Sequence, residues 1–351
     1  MPDTVIPSPP VVAFVPREVF STSKRCLERL IEKTSPPFDL VCVDGNSPEE
    51  TSRHLREAAE EHGFTVLRSN SYLTPNQARN LAYQWTKDNT SADYIVFIDN
   101  DALVSEGWLE AMVECANETG AGVVAPAYYE HLPECSKIHM YGGTCGIGKD
   151  QQGRRVYQEI HHLQHSSESE LSEPLQRQKT ELFEFHAALF RLDVLDELGG
   201  FDEGLPCHAE HGDASMLVRK AGYEIWLEPS SKVTYVPPKR LEPADKEYFF
   251  LRWSESWTLM NQAHLSRKWN LEHIENDRGR GLSWVRGHRR YGYPFLGRIR
   301  KVLGKKLARS FEKRFFSAFE VAANRRRYQN DSFSPLSEIV VDEFSGGSAP
   351  T

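Results

Sequence analysis

Residues 93–101 read Asp-Tyr-Ile-Val-Phe-Ile-Asp-Asn-Asp, an apolar run that ends in two carboxylates separated by one residue. Because positions 94–98 are all β-branched or aromatic, they predict a central parallel strand that is covered on both faces. Asp99 and Asp101 would then follow the carboxyl end of this strand, where open α/β sheets bind their ligands. Two carboxylates this close suit Mg²⁺ or Mn²⁺ beside an anionic ligand better than zinc. The other interpretation is a helix N-cap, since the segment after Trp108 is predicted to be helical.

The composition is that of an ordinary globular protein. With 351 residues, 39% of them hydrophobic, the chain can bury one large α/β core plus an appendage, or two small domains. Its six cysteines include no Cys-x-x-Cys pair, which favours reduced thiols and a cytoplasmic location over a disulfide framework. Residues 1–10 contain neither a basic region nor a long apolar stretch, so we expect no secretory signal and no membrane span.

Short apolar runs alternate with helical segments early in the chain, which predicts a parallel sheet with covering helices. The predicted strands are 11–15, 40–43, 65–67, 94–98 and 122–125, and the predicted helices begin at Ser23 and span 48–62, 75–87 and 106–118. Patterning weakens at 128–180, which we interpret as a long loop excursion over the ligand-binding face. A strand at 182–190, helices at 193–199 and 213–221, short strands at 225–227 and 233–236, and an aromatic helix at 247–269 are predicted to follow.

Four segments, in this order, resemble the family 2 glycosyltransferases of the GT-A fold. They are Val-Asp-Gly-Asn-Ser at 43–47, Asn-Gln-Ala-Arg-Asn at 76–80, Ile-Asp-Asn-Asp at 98–101, and Gly-Gly-Phe-Asp-Glu at 199–203 followed by Glu-His-Gly-Asp at 210–213. The resemblance covers about residues 11–236. It implies an α/β fold with a mixed, mostly parallel central sheet, helices on both faces and a helical C-terminal extension. The expected domains are a tail at 1–10, the catalytic domain at 11–240, the basic extension at 241–330 and a tail at 331–351.

The resemblance also implies residues that bind the donor. Asp44 would contact the base or ribose of a sugar nucleotide, although an Asx-turn role is equally open. Arg79, in the segment that begins at Asn76, would bind the nucleotide, since a guanidinium suits paired phosphate or base acceptors. Asp99 would bind ribose or metal-bound water, and Asp101 would coordinate Mn²⁺ or Mg²⁺ across both phosphates. The metal would neutralise the leaving diphosphate.

The acceptor side departs from the family pattern. The usual motif is Glu-Asp-x-Asp, and His211 stands where the common catalytic aspartate would be. His211 could act as the base, because its unperturbed pKa lies near neutrality. Glu210 is a second candidate, and Asp213 is either part of the catalytic set or the cap of the following helix. The sequence leaves these alternatives open.

A second departure concerns the metal. Many relatives carry a metal-binding histidine at the position of Tyr235. The third protein ligand is therefore open, and His186, His208 and His211 are the candidates to replace it. His186 could also face the donor sugar or the acceptor, or it could be an ordinary buried histidine.

The C-terminal extension is strongly basic, with sixteen Lys and Arg against two Glu between residues 278 and 327, in a chain of net charge −8. Apolar residues recur every four positions at Ile299, Leu303, Leu307, Phe311, Phe315 and Phe319. A basic amphipathic helix over 298–319 could lie on the anionic inner face of a membrane, at about 1 kcal/mol per basic residue. We favour docking of the apolar stripe on the catalytic domain or a second subunit, because the preceding aromatic helix needs covering. No base-stacking module accompanies the charge, so we expect no nucleic-acid partner.

The sequence thus predicts a metal-dependent glycosyltransferase that moves a sugar from a UDP- or GDP-sugar to a hydroxyl acceptor on a glycan, lipid or small molecule. One alternative is a catalytically impaired protein of the same fold that binds nucleotide sugars or acts as a scaffold, because the acceptor motif is altered. Another is a nucleotidyltransferase. That class usually has a Gly-rich basic loop near its first strand, and none follows Val15.

Overall fold

The computed structural model describes residues 8–237, 240–272, 282, 284–328 and 333–347. Its first part alternates strands and helices. The strands are β1 (Val11–Val15), β2 (Asp39–Asp44), β3 (Thr65–Ser69), β4 (Tyr94–Asp99) and β5 (Ala102–Val104), and the helices are α1 (Ser23–Lys33), α2 (Glu49–His62), α3 (Pro75–Asn89) and α4 (Trp108–Thr119). The predicted elements of this part are confirmed to within two residues. The strand predicted at 122–125 is longer than expected.

The second part completes a mixed sheet. Its strands are β6 (Val123–Glu130), β7 (Lys137–Met140), β8 (Gly143–Lys149), β9 (Arg155–His161), β10 (Gln178–Thr180), β11 (Ala187–Arg191) and β12 (Ile225–Tyr235), with helices α5 (Leu192–Leu198) and α6 (Glu210–Lys220). With β13 (Val341–Ser345), the strand order is β10-β12-β6-β11-β4-β1-β2-β3-β13. Strands β4, β1, β2 and β3 are mutually parallel, and β11 runs antiparallel beside β4.

Strand β4 separates two hydrophobic layers. Because successive side chains of a strand point to opposite faces, Ile95 and Phe97 pack with α3 on one face, and Val96 and Ile98 face the other. The second layer contains residues of α1, α2 and α4, among them the fully buried Trp108. This double coverage explains why the strand has an uninterrupted apolar sequence.

The loop excursion predicted at 128–180 and the tail predicted at 331–351 both contain strands. The excursion at 128–180 includes the end of β6, strands β7 and β10, and a separate antiparallel hairpin of β8 and β9. These strands were not predicted from the sequence, because polar residues and glycines interrupt the alternation of apolar and polar residues that indicates a strand. The tail at 331–351 contains β13, which pairs antiparallel with β3 and covers the edge of the sheet.

Four predicted elements have different limits. The two short strands at 225–236 form the single strand β12, with an irregularity between Glu228 and Lys232. The long helix at 247–269 is two helices, α7 (Lys246–Arg252) and α8 (Glu255–Trp269), because the Ser254 hydroxyl caps α8 by accepting a hydrogen bond from the Trp257 amide at 3.1 Å. Helix α6 begins at Glu210, so the interpretation of Asp213 as its cap is wrong.

The last long described part of the C-terminal extension, residues 284–328, packs on Trp253 and α8 through polar anchors. It contains α9 (Pro294–Phe311), a π-helical turn at Glu312–Phe316 and α10 (Ser317–Tyr328), and α9 is broken at Gly304, where φ is +73°. Buried Arg289 binds Glu320 bidentately, with Nη2 and Oε2 at 2.9 Å. The Asn324 side chain accepts a hydrogen bond from the Glu255 amide at 3.2 Å.

The apolar stripe of this extension is exposed. Five of its members are 36–66% exposed, namely Leu303, Leu307, Phe311, Phe315 and Phe319. The predicted docking of this stripe on the catalytic domain is therefore wrong, because the extension buries other side chains, Leu296, Ala308 and Phe316. Within the described ranges, no helix combines the length and apolar content that crossing a membrane requires.

Candidate functional site

A cavity of about 640 Å³ opens at the carboxyl ends of β1 and β4, a volume typical of small-molecule sites. It is lined by residues at the edge of the sheet, by β9 of the β8–β9 hairpin, and by residues of α6, α7 and α8. Charged and aromatic side chains dominate the lining, including Arg17, Arg79, Asp99, Glu159, His161, Glu184, His186, His208, Glu210, His211, Tyr235, Arg252 and Trp284.

The two carboxylates predicted from the sequence lie together beneath this cavity. Asp99 and Asp101 are 1% and 0% exposed. The Arg79 guanidinium donates to Asp99 Oδ1 at 3.0 Å, and Arg17 lies between the two aspartates, 3.4 Å from Asp99 Oδ2 and 3.2 Å from Asp101 Oδ2. Asp99 is one of the lining residues of the cavity, whereas Asp101 is not. The arginines therefore supply the positive charge that buried carboxylates require.

Burial dominates the electrostatics of the pair. It raises the pKa of Asp101 to about 7, in spite of Arg17 and with help from neighbouring Asp99, and it also raises the pKa of Asp99. Asp101 Oδ1 is buried and has no hydrogen-bond partner. An incompletely paired carboxylate of this kind favours additional positive charge, as a divalent cation would supply.

Asn100 fixes the turn that carries the two aspartates. Its side-chain amide donates to the Val19 carbonyl at 2.6 Å and to the Ser23 hydroxyl at 2.8 Å, and its Oδ1 accepts from the Arg17 amide at 3.0 Å. These three bonds join the end of β4 to the segment that follows β1. The same segment carries Arg17, so the arginine and the aspartates are positioned as one unit.

His186 is the histidine beside the aspartates. Its Nδ1 lies 3.8 Å from Asp99 Oδ2, has no hydrogen-bond partner, and belongs with Asp99 and Asp101 to a group whose ligand atoms lie within 4.8 Å of one another. The ring stacks on Tyr235 with centroids 4.4 Å apart. Burial and the nearby Arg17 lower the pKa of His186, so the imidazole is neutral. His208 also lines the cavity, but its Nδ1 lies 3.0 Å from Cys207 Sγ.

Two predicted nucleotide-binding residues do not line the cavity. The Asp44 carboxylate accepts a hydrogen bond of 2.8 Å from the Ser47 amide, which forms an Asx-type turn. It also accepts a hydrogen bond from the Arg68 guanidinium. Asn76 accepts from Arg79 Nη1 at 3.1 Å and donates to the Asp202 carbonyl at 2.8 Å. Asn76 therefore orients Arg79, whose guanidinium also covers the Phe185 ring at 3.7 Å.

The three predicted acceptor-side residues lie in different environments. Glu210 lines the cavity, and although burial opposes its ionisation, Arg252 at 3.5 Å holds its pKa below the usual value. Its Oε2 has no hydrogen-bond partner. Asp213 does not line the cavity, because its two oxygens accept from Lys268 Nζ and Trp269 Nε1, each at 2.7 Å.

His211 belongs to a cluster that the sequence did not predict. Its Nε2 lies 3.2 Å from Glu159 Oε1, and its Nδ1 lies 3.7 Å from Glu184 Oε2. Burial opposes the charged imidazolium, but these two carboxylates raise the pKa of His211 to about 10. A protonated imidazole is a poor proton acceptor.

Sequence reasoning also missed Arg17, Arg252 and Glu159. A signal existed for Arg17, because it follows β1 directly and so stands at the ligand-binding edge of the sheet. For Arg252 and Glu159, the sequence contains no corresponding signal. They reach the cavity through the packing of α7 and through the β8–β9 hairpin.

Gly212 allows the hairpin to approach α6. A Cβ atom at this position would lie 1.7 Å from the Tyr157 hydroxyl oxygen of β9. The absence of a side chain therefore brings Glu159 and His161 of β9 next to His211.

We predict that Gly212→Ala displaces the hairpin, because the Tyr157 hydroxyl has to move away from the new methyl group. The expected result is a lower melting temperature and faster amide hydrogen exchange in β9. Gly146→Ala is the matched control, since a Cβ there meets nothing within 4 Å. Equal protection of β9 in wild type and Gly212→Ala would contradict this packing argument.

Comparisons with known proteins identify the family of this chain. The model of the family described as "Glycosyl transferase family 2" matches residues 18–199. Succinoglycan biosynthesis protein ExoA of Rhizobium meliloti (strain 1021) is 25% identical over 229 residues, which are 64% of this chain and 63% of ExoA. Glycosyltransferase GlyG of Streptococcus pneumoniae serotype 4 (strain ATCC BAA-334 / TIGR4) is 23% identical over 128 residues, 35% of this chain and 41% of GlyG.

The fold is similar to that of GalNAc-T7, whose crystal structure contains UDP, GalNAc and Mn²⁺. The TM-score is 0.51 at 16% identity, over 81% of this chain and 56% of GalNAc-T7. The predicted GT-A fold is confirmed. The chain thus spans less than two thirds of the length of ExoA and of GalNAc-T7. Because the family model covers more than half of the sequence, the chain belongs to glycosyl transferase family 2.

Proposed function

We propose that this chain transfers a sugar from a UDP- or GDP-sugar to a hydroxyl acceptor, with a divalent cation. One observation carries the proposal: the cavity at the ends of β1 and β4 combines Asp99, backed by Asp101, with the guanidinium groups of Arg17, Arg79 and Arg252. Acidic and cationic groups side by side suit a diphosphate that arrives with a metal ion. The name of ExoA supports a glycan as the acceptor.

Asp99, Asp101 and His186 would hold the cation. The unpartnered Asp101 Oδ1 and His186 Nδ1 atoms fit this role, and the carboxylates suit Mn²⁺ or Mg²⁺. When bound, the ion supplies Lewis-acid stabilisation of the leaving diphosphate. In this structure Arg17 forms ion pairs with both Asp99 and Asp101. When the cation binds the aspartates, Arg17 therefore has to break one of these ion pairs. Its side chain is 21% exposed and can turn towards the cavity, where it would bind phosphate oxygens.

Arg79 would bind the nucleotide part of the donor. It is buried, it is oriented by Asn76, and it holds Asp99 in place. Asp44 would contribute through the shape of its turn at the end of β2 and by binding the base or ribose. These donor-side roles rest on the family resemblance together with the shared sheet edge.

Glu210 would act as the base that deprotonates the acceptor hydroxyl. Its contact with Arg252 keeps it ionised, and its free Oε2 atom can accept a proton. Asp213 would support this side of the site indirectly, by joining the first turn of α6 to Lys268 and Trp269 of α8.

We predict that Asp101→Asn abolishes metal-dependent release of nucleotide from the donor. The amide keeps the shape of the side chain but removes its charge, and we expect the rate to fall by about 100-fold or more, since metal-bound charge supplies several kcal/mol. The measurement is donor hydrolysis with Mn²⁺, Mg²⁺ or chelator. Asp342→Asn, on exposed β13, is the control. Unchanged metal-dependent release in Asp101→Asn would refute the assignment.

We further predict that Glu210→Gln slows sugar transfer without weakening nucleotide binding. Loss of a general base costs about 10²–10⁴-fold in rate, whereas the donor contacts remain. Glu197→Gln, which alters an exposed hydrogen bond to Tyr223, is the control. Turnover is measured as nucleotide release across an acceptor panel, and donor binding is measured by calorimetry.

The same measurements separate the alternative functions. Donor binding by wild type without turnover on any acceptor would favour the scaffold alternative. Incorporation of nucleoside monophosphate into product would favour a nucleotidyltransferase.

The exposed stripe of the extension would contact an anionic membrane surface. It is accompanied by exposed basic side chains, namely Arg298, Arg300, Lys301, Lys306 and Arg314. Exposed apolar side chains flanked by cations match the acyl boundary and the headgroups of an anionic bilayer. This arrangement would bring the enzyme to lipid-borne acceptors.

We predict binding to vesicles that contain phosphatidylglycerol and weak binding to phosphatidylcholine alone, with a decrease at high salt. The double variant Leu307→Glu, Phe315→Glu should bind more than about tenfold more weakly, because each buried apolar side chain contributes about 1.5–3 kcal/mol. Val340→Glu, at an exposed position outside the stripe, is the control. A wild-type dimer in sedimentation that these two substitutions dissociate, without vesicle binding, would instead assign the stripe to a second copy.

A further inference from the structure

A second group of metal-ligand side chains lies in the cavity, separate from the aspartates. Glu159, His161, Glu184 and His211 each place one ligand atom within 4.8 Å of the others. Glu159 Oε1 lies 2.7 Å from His161 Nε2 and 3.2 Å from His211 Nε2, and His161 Nε2 lies 3.5 Å from Glu184 Oε1. Four tetrahedral ligands about 2.0–2.2 Å from one ion are roughly 3.3–3.6 Å apart, so only small side-chain shifts are needed.

In the described part of the chain, the two carboxylates of this group form no ion pair with a lysine or an arginine. Among the described ion pairs, the carboxylates of Glu159 and Glu184 meet only imidazoles, those of His139, His161 and His211. Asp99 and Asp101, in contrast, already contact arginines. In addition, His161 Nδ1 and His211 Nε2 are buried without a hydrogen-bond partner. A cation entering this group therefore displaces no lysine or arginine of the described residues. It replaces the proton of the His211 imidazolium, which is released to solvent when the ring becomes a ligand.

Neighbouring side chains hold the four residues in position. The Tyr157 hydroxyl donates to Glu159, and His139 lies between Glu184, at 3.7 Å, and Glu130, at 3.5 Å. Contacts of this kind orient ligands in metal sites. The four residues come from three segments, β9, the loop before β11, and the first turn of α6. An ion bound by all of them would fasten the β8–β9 hairpin to α6.

We propose that Glu159, His161, Glu184 and His211 form a zinc site that joins the hairpin to α6. Two imidazoles with two carboxylates suit a borderline ion such as Zn²⁺ better than Mg²⁺, and four protein ligands make a closed, structural site. The proposal goes beyond sugar transfer and does not require it. It also gives a reason for the histidine at position 211, because a zinc-bound imidazole serves the fold while Glu210 remains available for proton transfer.

The test is zinc binding by the full chain, after chelator treatment, without donor or acceptor. Calorimetry with Zn²⁺ and the visible absorption of added Co²⁺, which reports tetrahedral coordination, are compared across variants. We expect wild type and Asp101→Asn to bind one tight Zn²⁺. Glu159→Gln and His161→Ala should bind more than about 100-fold more weakly, since outer-shell partners alone are worth about 10–100-fold. His162→Ala, at the exposed neighbouring histidine, is the matched control and should bind normally.

Thermal unfolding keeps the test valid if a variant is destabilised. Zn²⁺, but not Mg²⁺, should raise the melting temperature of wild type and of Asp101→Asn and slow hydrogen exchange in β9, and it should do neither in Glu159→Gln. Absence of tight zinc binding by wild type would overturn the proposal. So would zinc binding that Asp101→Asn abolishes and Glu159→Gln retains, because the ion would then belong to the aspartate site. Neither result depends on whether the chain transfers sugar.

Discussion

The requirement to bury two negative charges at the edge of a sheet organises this protein. A buried carboxylate without a partner is strongly unfavourable, and Asp99 and Asp101 are almost completely inaccessible. Arg17 and Arg79 meet this requirement from two directions, one from the end of β1 and one from α3. Asn76 and Asn100 in turn fix these groups by hydrogen bonds. The polar network follows from the charges, and the cavity forms above it.

The cavity has two chemically different sides. The floor contains fixed guanidinium groups, which remain charged at any physiological pH and suit a phosphate ligand. The wall formed by the hairpin contains imidazoles facing carboxylates, whose net charge depends on protons or on a bound ion. Glu210 interacts with groups of both sides, since, although burial opposes its ionisation, Arg252, His211 and Arg79 all lower its pKa. Such a division would allow one cavity to keep the proposed donor binding apart from the proposed acceptor chemistry.

Local patterns predicted the strands that lie in the core, because residues 94–98 are apolar on both faces and such a run has few alternative structures. The positions of Asp99 and Asp101 followed from the end of that strand. The contacts of Asp213 could not be predicted, since Lys268 and Trp269 are 55 and 56 residues away and reach it through the packing of α8. Glu159 and His161 were not predicted for another reason. A hairpin that directs polar side chains into a cavity lacks the alternation of apolar and polar residues by which strands are recognised in a sequence.

In the C-terminal extension, the apolar side chains recur every four residues, and this spacing is related to the geometry of the helix. In a straight α-helix, positions four apart rotate by about 40°, so a stripe from Leu303 to Phe319 would drift by about 160° around the axis. The described structure places the π-helical turn Glu312–Phe316 inside this stripe, and a π turn contains more residues than an α turn. The wider turn offsets part of the drift and keeps Phe311, Phe315 and Phe319 on the exposed side. The spacing therefore encodes a distorted helix with an exposed apolar surface.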